Sequence, residues 1–251
     1  MNDSVVRLED VFRRVLEESR KLRFDRSNPQ QVYAACMHAA ILAQFSATLT
    51  LLKEGRNDPV PGILRDLLET YADLVNLCRC PEYVVRLQTA YLAKQGRVLR
   101  LAEKLSLTNP AVRRLAGDLA LREAYEKTAH RLAEYERFGL GVLPIRDRFE
   151  RAGLAALHDS VYATLAIFST HNLTDLPSRF LEDKEGHQQI AVLKPWQSEL
   201  LEGFLHTLAG VIVDAYRRVT RLSPKPEADG LHQVAQALRE YVSGIGGRKA
   251  A

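Results

Sequence analysis

Cysteine is scarce. The three residues Cys36, Cys78 and Cys80 are an odd number at spacings that make no disulfide framework. That excludes the small stapled secreted scaffolds and points to a reduced, cytoplasmic protein. Cys78-Arg79-Cys80 is also too tight for the usual Cys-x-x-Cys metal knuckle. Glycine and proline are sparse, 14 and 10 in 251 residues, which argues against long disordered segments. No Gly-rich phosphate loop, nucleophile elbow or Glu-x-x-His pair occurs. P-loop, α/β-hydrolase and ferritin-like di-metal chemistry therefore have no foundation. Alternating apolar and polar runs are nearly missing too, and Gln189 to Leu193 is the one short stretch that suits a strand. Met1 to Asp10 carries charge and no apolar stretch, so a secretory leader is not expected.

What the chain has is helical periodicity. Apolar residues recur at three- and four-residue steps almost throughout. Val5, Leu8, Val11, Phe12, Val15 and Leu16 make one face of a first helix, and Leu64, Leu67, Leu68, Tyr71 and Val75 one face of a third. Asn28-Pro29 and Asn109-Pro110 each combine an N-cap with proline at the first helical position. Gly139-Leu140-Gly141 with Pro144 is the sharpest break. The expected fold is all-α: a single bundle-like domain of seven to nine helices over residues 1–243, with 244–251 a flexible tail.

Val32 to Leu52 holds no formal charge and is long enough to span a bilayer. His38, Gln44, Ser46, Thr48 and Thr50 would be costly in lipid, so a central core helix, not a membrane span, is expected. Net charge is +4, with a pI near 9.0 and arginine well ahead of lysine. Solvated helix faces account for such charge, and so does a nucleic-acid or acidic protein partner.

Polar residues stand where a bundle wants apolar ones. Arg65, Glu69 and Asp73 lie four apart, so they form one shallow stripe beside the apolar face of the third helix. Arg before Glu is the weaker order for a surface pair, which favours a partner elsewhere. A second helix carries Tyr162 and ends near Ser169-Thr170-His171-Asn172. A histidine there gains from the helix dipole and titrates near neutral pH. The ordinary alternatives are a boundary ion pair and a C-terminal cap.

Two pieces of this pattern, Arg65-Asp66-Leu67-Leu68-Glu69 followed by Pro81-Glu82, and Tyr162 followed by Ser169-Thr170-His171-Asn172-Leu173, resemble the bacterial all-helical domain-of-unknown-function family 5677. The resemblance runs from about Tyr33 to Phe180. It implies an all-helical fold and a polar cluster shared by two helices, and it implies no activity. The candidate cluster is thus Arg65, Glu69, Asp73, Tyr162, Ser169, His171 and Asn172. Because a polar group buried without a partner is costly, the two halves should meet.

Two hydrolase patterns compete. His158-Asp159, with His130 upstream and Asp214 downstream, supplies the ligand types of an HD-type phosphohydrolase in order. Ser160-Val161-Tyr162 replaces that motif's usual following residues, so no metal site is expected there. Arg151 and His158 approximate the spacing of a HEPN-like ribonuclease, but Ala152 to Leu157 lack its polar residues. Two classes stay open: a soluble helical binding or interaction module linked to nucleic acid, and a hydrolase acting on RNA or nucleotides. No cofactor is expected. A monomer or small homo-oligomer is expected.

Overall fold

The structure is a computed structural model. It describes residues 3–105, 119–169, 180–190, 198–224 and 228–246, with isolated positions 110, 114 and 177. The protein is all-α, with one two-stranded hairpin among the described residues. In chain order the helices are α1 (Asp3–Ser19), α2 (Pro29–Lys53), α3 (Val60–Arg79), α4 (Tyr83–Leu105), α5 (Leu119–Arg137) and α6 (Ile145–Arg151). Then come α7 (Ala155–Leu157), a π-helical turn (His158–Tyr162) and α8 (Ala163–Ser169), which together make one rod. After the hairpin follow α9 (Ser198–Leu222) and α10 (Ala228–Gly246). Counting that rod once, the described residues hold nine helices.

Two compact units emerge: Met1–Arg79 with Phe149–Ala251, and Cys80–Arg148. In the first, α9 is the hub and packs on α1, α2, α3 and α10. Its stripe of Phe204, Leu208, Val211, Ile212, Ala215 and Val219 is buried at helical spacing. α3 packs on both α2 and α8, and Leu64, Leu67, Leu68, Leu74 and Leu77 are buried along it. Each such leucine stabilises the fold by roughly 1.5–3 kcal/mol. In the second unit α4 packs on α5.

The helix ends follow their sequence signals. Asn28 accepts a hydrogen bond from the Gln31 amide at 3.2 Å, and Pro29 opens α2. Gly55, at φ 69°, closes it: the Arg56 amide reaches the Leu51 carbonyl at 2.8 Å and the Gly55 amide the Leu52 carbonyl at 3.2 Å, a Schellman end. α6 stops the same way at Gly153, φ 72°, with Leu154 bonding back to Phe149 at 2.8 Å.

Three features depart from expectation. The Val32–Leu52 segment is not a central helix. Ala34, His38, Ile41, Leu42, Phe45, Thr48 and Leu49 are buried on one face of α2, but Cys36, Ala39, Ala40, Ala43, Ser46, Ala47 and Thr50 are exposed on the other. By length and composition α2 could still cross a membrane. The helix expected over 154–169 carries a π turn, which puts one extra residue into the ring and re-phases the residues beyond it. Ala156 is exposed while Tyr162 is buried. Of the single strand expected at 189–193, residues 189 and 190 end the second arm of a hairpin, and 191–193 lie outside the described residues. Leu181↔Ile190 through Lys184↔His187 pair antiparallel around Glu185-Gly186, both at positive φ, the geometry of a type I′ turn. Its arms are too polar to show alternation. The Asn109-Pro110 cap signal lies among residues mostly outside those described.

Candidate functional site

α3 is pinned at its C-terminal end. Gln30 donates to the Leu77 carbonyl at 2.7 Å, and Arg79 Nη1 donates to the Ala152 carbonyl at 2.7 Å. The Arg79 guanidinium also lies against Gly153, where a Cβ would come within 3.3 Å of it. This ties the end of α3 to the corner from which α7 and the π turn start. The middle of α3 then faces Tyr162.

There Arg65 Nε donates to the Tyr162 hydroxyl at 3.1 Å, and that hydroxyl donates to Glu69 Oε1 at 2.8 Å. Arg65 Nε and Glu69 Oε1 are themselves 3.6 Å apart, and the guanidinium sits over the Tyr162 ring, 5.6 Å from its centre. The hydroxyl is thus both acceptor and donor, and the three groups close on one another. Tyr162 is buried, while Arg65 and Glu69 are about a third or less exposed. Burial, reinforced by the Glu69 acceptor, holds the Tyr162 phenol above its ordinary pKa, and the Tyr162 bond raises that of Arg65.

His158 belongs to the same assembly, which spacing alone did not indicate. Its ring stacks on Tyr162 with centres 5.2 Å apart and planes at 19°, and meets Phe149 edge-on at 5.3 Å. Nδ1 lies 2.8 Å from Asp159 Oδ1. His158 and Tyr162 stand at the two ends of the π turn, four residues apart on one side of it. The aromatic ring of Phe149, a short step upstream of His158 and Tyr162, was the signal available in the sequence.

The structure therefore brings together Arg65, Glu69 and Tyr162. Asp73 stands half-buried further along α3. The side chain of Ser169, and all of His171 and Asn172, lie outside the described residues. Of the four residues in the phosphohydrolase pattern, His158 and Asp159 adjoin the cluster. Asp214 is occupied elsewhere: it accepts from Tyr71 at 2.6 Å and Arg217 at 2.7 Å, and from Arg218. Burial would raise the Asp214 carboxyl, but the Tyr71 and Arg218 bonds outweigh it and the net shift is downward. Nearby, burial pushes the Cys78 thiol up to about 11, so it is a poor nucleophile. His130 lies on α5, in the other unit, with Nδ1 3.8 Å from Glu134. Among the described residues no group of three His, Cys, Asp or Glu side chains could hold a metal ion.

Residues 31–188, more than half of the chain, match the family described as Family of unknown function (DUF5677). The chain belongs to this family. The matched stretch contains the Arg65–Tyr162–Glu69 cluster and the π turn, whereas the hub helix α9 lies beyond it. No curated protein and no solved structure matches the chain. Membership in DUF5677 brings a family without an assigned activity, so chemistry must be argued from the residues.

Proposed function

We propose that the protein is a cytoplasmic helical binding module for nucleic acid, in which residues 80–148 make the contact and the larger unit is the scaffold. The observation that carries this reading is how charge is divided. Residues 80–148 hold 13 Lys and Arg against 8 Asp and Glu, a net +5, whereas the rest of the chain holds 22 against 23, a net −1. All of the protein's positive excess therefore sits in one unit of fewer than a third of the residues. A polyphosphate ligand draws its affinity from such concentrated charge through counterion release. The free thiols of Cys36, Cys78 and Cys80 suit a reducing compartment.

In this reading the Arg65–Tyr162–Glu69 cluster is a structural latch between α3 and the π turn. Arg65 Nε, the Tyr162 hydroxyl and Glu69 Oε1 are engaged with one another across the two helices, as a latch requires. His158 is held between Phe149 and Tyr162 and oriented by Asp159, so it serves packing.

Fluorescence anisotropy of the full chain with labelled single-stranded and duplex oligonucleotides tests the proposal. Three to five phosphate contacts predict an affinity that falls on the order of 20- to 100-fold between 50 and 200 mM salt. No binding at 50 mM salt would reject it. If the labelled RNA is instead cleaved, and His158→Ala stops the cleavage, the protein is a ribonuclease.

A further inference from the structure

Helix α4 presents an outer face with an unusual mixture. Tyr91, Val98 and Leu101 are 61%, 65% and 51% exposed, the kind of side chains a helix ordinarily buries. Lys94, Arg97 and Arg100 are exposed among them. Steps of three and four put Tyr91, Lys94, Val98 and Leu101 on one stripe, with Arg97 and Arg100 on the stripe beside it. Among the described residues neither Lys94 nor Arg97 has an ion-pair partner, and Arg100 bonds only the Gly96 carbonyl of its own helix, at 3.2 Å. Gln95 donates to the Tyr91 hydroxyl at 2.6 Å and so steadies the ring on the helix surface.

We infer that this face of α4 is a binding surface for single-stranded nucleic acid, with Lys94, Arg97 and Arg100 on successive phosphates and a base stacked on Tyr91. This rests on the nucleic-acid reading above and names its surface. The chemistry favours a single strand over other polyanions. A duplex offers its phosphates but hides its base faces, so Tyr91, Val98 and Leu101 would meet only charged backbone. A single strand offers both phosphates and unstacked bases, which aromatic rings bind with little regard to sequence. An anionic membrane needs apolar and basic residues on opposite sides of the helix, and here Lys94 stands in the middle of the apolar stripe. The stretch from Tyr91 to Leu101 spans about 15 Å, room for a few nucleotides. The neighbouring cleft between α4 and α5 sets Glu126 and Glu134 against Lys127 and Arg131, so it offers a strand no net positive charge, whereas the outer face of α4 does.

The test uses the full chain and a labelled uridine 20-mer, with labelled heparin as a polyanion that has no bases. Tyr91→Ala should weaken oligonucleotide binding roughly tenfold or more and leave heparin binding unchanged, while Tyr91→Phe keeps both. Lys94→Glu/Arg97→Glu/Arg100→Glu should weaken both ligands on the order of 100-fold at low salt. The same three positions as Gln, with circular dichroism matching the parent, guard against loss of the fold. If the parent binds the 20-mer and none of these variants changes it, the surface is wrong and the wider proposal stands. If the parent binds vesicles with 30% phosphatidylserine but not the 20-mer, both fall and α4 is a membrane-surface helix. Equal losses for Tyr91→Ala on both ligands would also overturn stacking.

Discussion

At the scale of single residues, the deciding fact is where a buried polar atom finds its partner. Tyr162 finds two. Tyr162→Phe removes one hydroxyl and both of its bonds, and Arg65 and Glu69 stay close enough to turn toward each other. A loss of about 1–2 kcal/mol is expected, read from the urea midpoint. A change within error would show the latch to be ornamental. His38 is the opposite case. Ser19 Oγ donates to the Val15 carbonyl at 2.6 Å, so the 2.8 Å bond to His38 Nε2 must run from the ring, which places the proton on Nε2. Nδ1 is then a bare, buried acceptor without a partner. Burial holds the His38 pKa down to about 4. Because that lies below the unfolded value of about 6.5, the unfolded chain binds the extra proton first. Stability from this residue is complete above pH 6.5 and is lost as pH falls to about 4, on the order of 3 kcal/mol in all. Urea midpoints between pH 4 and 7 should follow this slope, and His38→Gln should flatten it. A parent profile already flat would refute the assignment.

At the scale of elements, two glycines of α10 separate packing from propensity. Glycine inside a helix costs roughly 0.5–1 kcal/mol relative to alanine, so replacing it should help wherever there is room. A Cβ on Gly230 would come within 2.6 Å of Glu18 Oε2 and 2.7 Å of the Tyr216 hydroxyl. Glu18 and Tyr216 are both buried, and a tyrosine ring packed in the core cannot step aside. Gly230→Ala should therefore cost about 1–3 kcal/mol. A Cβ on Gly244 would meet the guanidinium of Arg7, the far end of a flexible, half-exposed side chain. Gly244→Ala should be neutral or slightly stabilising, since Arg7 can swing away. Thermal melts of the two variants decide this, and equal melting temperatures would contradict the packing argument. The π turn also belongs to this scale. The apolar spacing around it drew a plain α-helix, because periodicity averages over many turns and misses one wide ring. His158 and Tyr162 stand at the two ends of that wide ring and stack on each other.

At the scale of the whole molecule, α2 poses the main question. It is uncharged from Val32 to Leu52 and its outer face is small and weakly polar. Its inner face nevertheless carries Ile41, Phe45 and Leu49 into the core, with Phe45 stacked on Phe12 of α1 at 5.3 Å. A bilayer would have to replace those contacts and also solvate His38. Fractionation of the expressed chain should recover it without detergent. Recovery from the membrane fraction alone would make α2 a span. The outer face of α2 also explains why its hydrophobicity misled. Alanine and threonine count as apolar or neutral in sequence, yet they cost little when left in water.

The all-helical class, most helix boundaries and the capping devices at Asn28, Pro29 and Gly55 were determined by sequence alone, because they rest on interactions within a few residues. The pairing of Arg65 and Glu69 with Tyr162 was inferable in outline from the need to satisfy polar groups beside an apolar stripe. What only the tertiary structure decided is which helix sits at the centre, that His158 packs in the cluster, that Asp214 is taken up by Tyr71 and Arg218, and that residues 80–148, whose basic excess is already in the sequence, form a unit of their own. Each of these depends on which distant segments touch, and helical periodicity says which face is buried without saying against what.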